Sequence, residues 1–149
     1  MSYSNASSDL IPYPQQITQG IISQLTSYGI KVEIKAMTPT DFAESLRYGN
    51  EAFFLNAWRA DYLDANSLFE TLFRQDSEML GDLDAEILKI VKEASSTSDP
   101  NERQLRYNRL NELIRLDVPA MPLVHANSSM VFRKEIQGIL AGVLSENFE

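Results

Sequence analysis

Residues 30–36, IKVEIKA, alternate apolar Ile30, Val32, Ile34 and Ala36 with charged Lys31, Glu33 and Lys35. A period of two predicts a half-buried strand. Upstream, Ile17, Ile21, Leu25 and Tyr28 recur at helical spacing. They predict a helix from about Pro14 to Tyr28, stopped by Gly29. Downstream, Thr38-Pro39-Thr40-Asp41 supplies a cap, a first-turn proline and an acid beside the orphan N–H groups, so a second helix starts there. Phe42 and Leu46 form its inner face and Gly49 ends it. AFFLNAW, residues 52–58, is a short unbroken apolar run and predicts a strand buried on both faces. Helix, strand, helix, strand is the order of an α/β layer. Residues 37–51 are long enough to serve as the crossover of a parallel pair.

The second half predicts helices. Leu68 with Leu72 and Phe69 with Phe73 are i,i+4 pairs, capped by Asn66 or Ser67, with Asp64 as a turn residue that starts the segment. Asp82 is expected to cap a helix that turns Leu83, Ile87, Ile90, Val91 and Ala94 inward. A short linker, Ser95-Ser96-Thr97-Ser98, then leads to Asp99-Pro100-Asn101-Glu102, the clearest start signal in the chain. That helix is predicted to run to about Leu116 with Leu110, Leu113 and Ile114 inward, and Pro119 prevents its extension. MPLVHA and SMVFR read as two strands joined near Asn127-Ser128, and the tail from Gly138 has no assignment.

Charge and composition narrow the function. The net charge of −8 argues against a general grip on nucleic-acid phosphate or anionic lipid. No apolar run reaches the roughly 18 residues of a membrane span, and the N-terminus shows no signal-peptide pattern. Cysteine is absent, which excludes disulfides, thiolate metal sites and a cysteine nucleophile. The single histidine, His125, lies in an apolar stretch without a spaced partner and reads as a strand histidine, so neither a metal nor another cofactor is expected. Nucleotide and acyl-transfer motifs are missing. Arg103, Arg106, Arg109 and Arg115 read as a solvated helix face; Tyr107, Met121 and Met130 read as core.

One segment stands out chemically. NAWRADYLDAN, residues 56–66, places the only tryptophan, Trp58, beside Arg59, Asp61, Tyr62 and Asp64 at the end of the second strand. Two carboxylates three residues apart can serve as an acid/base pair, or as turn residues with Asp64 opening the next helix.

The succession of LTSYGIKVEI, a helix, a strand running into AWRADYLDAN, and DPNERQLRYNRLNELIRLDVPAMPLV resembles the C-terminal part of family 5 extracytoplasmic solute-binding proteins. These are the oligopeptide- and dipeptide-binding proteins of ABC importers. The matching positions are Leu25, Gly29 and Ile30; Trp58, Asp61, Tyr62 and Asp64; and Arg103, Tyr107, Leu113, Pro119, Pro122 and Leu123. Ala57 and Ala65 depart from the family's usual glycine and proline, and the segment between Phe73 and Asp82 is short.

The resemblance implies an α/β fold, a periplasmic-binding-protein-like (type II) lobe with a mixed, mostly parallel sheet flanked by helices. It implies that residues 1–149 are one domain, one lobe of a larger two-lobed protein, which opens near the end of its first strand, MSYSN. A crossing segment to the missing lobe is expected at about 127–149. The implied function is peptide capture for import, without catalysis, with a peptide ligand and the importer's permease subunits as partners and an extracytoplasmic parent. Asp61 would pair with the ligand's α-ammonium group, while Ala57, Trp58, Arg59 and Tyr62 would offer backbone hydrogen bonds and pocket walls. A ligand-sensing lobe of a transcription regulator is the alternative, and a hydrolase using Asp61 and Asp64 is a third reading.

Overall fold

Three short strands, β1 (Ser2–Ser4), β2 (Lys35–Met37) and β3 (Phe54–Leu55), form one parallel sheet in the order β2-β1-β3. This computed structural model describes residues 1–74, 77–125, 133 and 135. Five helices accompany the sheet: α1 (Pro14–Ser27), α2 (Pro39–Arg47), α3 (Ala65–Leu72), α4 (Ala85–Ser96) and α5 (Pro100–Asp117). The described strands pair in parallel only, an α/β layer that matches the parallel part of the expected sheet.

Packing divides into two parts. Helices α1 and α2 each lie against β1, the middle strand. Because the strand order reverses at β1, right-handed crossovers place these two helices on opposite faces of the sheet. Tyr3 and Leu55, paired in register, are both buried, as are Phe42 and Leu46 of α2. The larger core lies among α3, α4 and α5, where Phe69, Phe73, Ile87, Ile90, Val91, Ala94, Tyr107 and Leu110 form one buried cluster. Apolar side chains at i,i+3 and i,i+4 along α4 bring Ile87, Ile90, Val91 and Ala94 onto a single stripe.

Helix starts follow the local chemistry. The Thr38 hydroxyl accepts from the Asp41 N–H at 3.2 Å with Pro39 in the first turn. The Asp99 carboxylate accepts from both Asn101 and Glu102 N–H groups at 2.9 Å. Two other starts differ from expectation. Asp64, rather than Asn66 or Ser67, caps α3. Asp84, rather than Asp82, caps α4, because Gly81 turns the chain at a positive φ of 71° and Asp82 still belongs to that turn. The serines expected as a linker are in part helical, since Ser95 and Ser96 complete the last turn of α4.

The strands are shorter than their patterns suggest. The Ile30 N–H bonds back to the Leu25 carbonyl at 3.1 Å, which ties the start of IKVEIKA to the end of α1. Further on, β1 offers only three residues to pair with, so β2 is confined to Lys35–Met37 and Ile30 and Ile34 stay exposed. The apolar run AFFL is not buried on both faces. Among the described residues β3 is an edge strand, only Leu55 of the run is buried, and Phe53 is 45% exposed. Along α1 the buried positions are Pro14 and Thr18, while Ile17 and Tyr28 face outward.

After α5, the left-handed Val118 (φ 51°) closes the helix by donating its N–H to Ile114 at 2.8 Å. Residues 121–125 then run exposed and irregular, contrary to the expected strand. A strand needs a partner, and Pro119 and Pro122 each remove a donor there. Met121 is accordingly 70% exposed rather than core, and His125 is an exposed residue rather than a strand histidine. The turn at Asn127-Ser128, the strand SMVFR apart from Arg133, Met130, the crossing segment at 127–149 except Arg133 and Glu135, and the tail from Gly138 lie outside the described residues.

Candidate functional site

The segment of interest leaves β3 at its C-terminal end. In a parallel sheet, ligands bind beyond the carboxyl ends of the strands, where the strand order reverses and two connections diverge. Here that point lies between β1 and β3. The loop after β1 carries Asp9, and the loop after β3 carries Ala57, Trp58, Arg59 and Asp61. One Arg59 Nη2 to Asp9 Oδ2 contact at 3.4 Å joins these two loops across the opening.

Of the predicted residues, Ala57, Arg59, Asp61 and Tyr62 are exposed and Trp58 is half-buried. The Asp61 N–H donates to Ser67 Oγ at 3.2 Å. Ser67 lies in α3 and is 2% exposed, so the backbone beneath the Asp61 carboxylate is held by a buried hydroxyl. Asp61 as a whole is exposed, which leaves its carboxylate open to a cationic partner.

Asp64 does different work. Its Oδ1 accepts from the Asn66 N–H at 2.8 Å and from Arg103 Nη2 at 2.6 Å. The Arg103 bond chiefly, and the backbone bond second, hold the Asp64 carboxyl below its ordinary range, against a smaller opposing effect of burial. Arg103 also donates to the Tyr107 hydroxyl at 3.2 Å and lies over that ring at 5.6 Å. Tyr107 in turn stacks on Phe69 with centroids 5.3 Å apart. Thus Arg103 is no solvated charge: it ties the start of α3 to α5 and to the helical core. Its neighbours Arg106 and Arg109 pair with Glu93, Glu102, Glu86 and Glu112 at the surface, where such pairs contribute little.

Asp64→Ala removes the cap, whereas Asp64→Asn keeps an acceptor of equal capping quality. The alanine variant should therefore be about 1 kcal/mol less stable than the asparagine variant, as measured by urea denaturation.

A shallow depression of about 350 Å³ lies beside this pair, lined by Tyr62, Asp64, Asn66, the Ser95–Ser98 run and Arg103. Neither Trp58 nor Asp61 lines it. Among the described residues no cluster of three or more His, Asp or Glu side chains could hold a metal ion. No helix among them is long and apolar enough to cross a membrane. Hydrophobic patterning does not point to Ser67 or Asp9, since one is a buried hydroxyl in a helix and the other an unremarkable loop acid.

No family model matches the chain. Individual curated proteins do. It is 23% identical over 135 residues to the peptide transport periplasmic protein SapA of Haemophilus influenzae, covering 86% of this chain and 24% of SapA. Against di/tripeptide-binding protein 4 of Pseudomonas aeruginosa the identity is 23% over 148 residues, covering 96% and 28%. Against the dipeptide-binding protein of P. aeruginosa it is 24% over 140 residues, covering 91% and 26%. The chain therefore spans about a quarter of the length of the curated relatives it matches. These alignments run along most of the chain at low identity, and they agree with the resemblance to a lobe of the family 5 solute-binding proteins.

Proposed function

We propose that the chain is a ligand-binding lobe of an extracytoplasmic protein that captures peptides for an ABC-type importer. The observation that carries this reading is the position of Trp58 and Asp61 at the carboxyl end of β3, beside β1, where the strand order reverses. Peptide-binding and peptide-transport relatives match along most of the chain. They favour transport over the regulator alternative, and binding over catalysis.

In the proposed mechanism an extended peptide lies in the cleft between this lobe and a second one. Asp61 accepts from the peptide's α-ammonium group, and closure removes water from the pair. A desolvated ammonium needs a charged acceptor, so the interaction strengthens as the cleft shuts. Trp58 and Tyr62 supply walls, while the backbone of Ala57 and Arg59 offers strand-like hydrogen bonds that accept varied side chains. Permease subunits would receive the loaded two-lobed protein.

Asp61→Ala in the two-lobed protein is expected to weaken the binding of short peptides with a free N-terminus by about tenfold or more, the cost of unpairing a charge-assisted bond. Isothermal titration calorimetry measures it, and an unchanged affinity removes Asp61 from the site. Alone, the lobe should bind the same peptides weakly or not at all, because half of the enclosing surface is absent.

A further inference from the structure

We propose that Ser67 is a positioning residue for the ligand-binding carboxylate of Asp61, setting where it stands at the mouth of the cleft. This role rests on the peptide-ammonium reading above. The loop from Asn56 to Asp64 contains no regular structure, and an exposed carboxylate on such a loop would sample many positions. Affinity for a single ammonium group falls when the acceptor must first be ordered, because that entropy is lost on binding.

Ser67 removes part of this cost in advance. Its hydroxyl is the acceptor for the Asp61 N–H at 3.2 Å, and with 2% of its surface exposed it has little room to turn away. The helix carrying Ser67 is itself anchored at the same end. The Ser67 N–H donates to the Asp64 carbonyl at 3.1 Å, and the Asp64 side chain caps the helix and holds Arg103. Arg103 reaches the core through Tyr107, which stacks on Phe69, two residues after Ser67 in α3. The carboxylate thus stands on a chain of bonds that ends in the packed core of α3, α4 and α5. A hydroxyl is suited to this place: it presents an acceptor to the loop from a buried position.

The test compares Ser67→Ala and Ser67→Thr with the wild-type two-lobed protein, using short peptides with a free or an acetylated N-terminus. The ratio of the two dissociation constants reports contact with the ammonium group and is insensitive to a general loss of stability. Amide hydrogen exchange at Asp61 reports the bond to Ser67 directly, without any ligand. Ser67→Ala should lower the preference for the free N-terminus by about threefold or more, the worth of a modest neutral hydrogen bond. It should also speed Asp61 exchange by about tenfold, and Ser67→Thr, which keeps the hydroxyl, should restore both. A Ser67→Ala protein that melts earlier but keeps the wild-type preference overturns the positioning role while leaving the ammonium reading intact. A wild-type protein with no preference for the free N-terminus overturns the ammonium reading and this role together. Wild-type exchange at Asp61 in Ser67→Ala shows that the hydroxyl does not hold the loop, and also overturns the proposal.

Discussion

Leu110→Ala is expected to destabilise the chain by about 2–5 kcal/mol, the range for truncating a fully buried leucine. Leu110 is 0% exposed and sits in the cluster with Ile87, Ile90, Val91, Ala94, Phe69, Phe73 and Tyr107. Three helices meet there, and α5 is the long one, so the cavity cannot close without moving a helix of 18 residues. Leu105 on the same helix is 69% exposed. Leu105→Ala should change stability by no more than about 0.5 kcal/mol. Urea denaturation of both variants separates the two cases. The Leu110→Ala midpoint should fall at an unchanged slope, which is the signature of lost stability rather than of an altered unfolded state. Equal midpoints for the two variants would mean that the helical cluster is not the core.

Glu51→Gln should be nearly as damaging, at about 2–4 kcal/mol, for an electrostatic reason. Glu51 is a buried acid just before β3, and its carboxylate gathers three donors. One is the Lys35 ammonium of β2, another the Ser2 hydroxyl of β1, and the third the Ser45 hydroxyl of α2 at 2.5 Å. A neutral amide keeps one oxygen for the Lys35 and Ser45 donors, but it sets an NH2 group against one of the partners and removes the countercharge of the ammonium. The hydrogen bond from Lys35, then those from Ser2 and Ser45, bring the Glu51 carboxyl down from 4.5 to about 2, although burial acts in the opposite direction. Because the folded state holds the proton less tightly than the unfolded chain, the stabilisation is complete above about pH 4.5. It is lost as the pH falls toward about 2. The gap in stability between wild type and Glu51→Gln should therefore be constant near neutrality and narrow across that acid window. A gap independent of pH down to about 2 would show that the carboxylate charge is not what the fold uses.

Local signals in the sequence carried most of the helices. Thr38-Pro39 and Asp99-Pro100 name their own helix starts, because a cap and a proline act on N–H groups only a few residues away. The alternation of residues 30–36 and the apolar run 52–58 each overlap a parallel strand, but they overstated its length and its burial. Strand length is set by the partner, and β1 offers three residues whatever the pattern beside it. Glu51 was not legible for a related reason. One of its donors, Ser2, is 49 residues away, and no short-range pattern encodes such a meeting. The candidate site divides along the same line. Asp61 and Trp58 stand out by composition at a strand end, whereas the Asp61–Ser67 bond depends on how α3 folds back on the loop. Asp64 shows how one motif can hold two jobs: a sequence of paired carboxylates becomes one exposed acid and one helix cap tied to Arg103.

The strand order β2-β1-β3 also bears on how quickly the two parts of the chain can form. Both sheet partners of β1 lie well along the chain, at Lys35 and at Phe54, so each pairing must close a loop of tens of residues before any ladder bond rewards it. Within the helical cluster α4 and α5 follow each other directly, from Ser96 to Pro100, whereas α3 reaches α5 across a loop as long as those of the sheet, from Asp64 to Arg103. The α4–α5 pair is the pairing with the least chain to close, and both the sheet and the tie from α3 to α5 wait on longer loops.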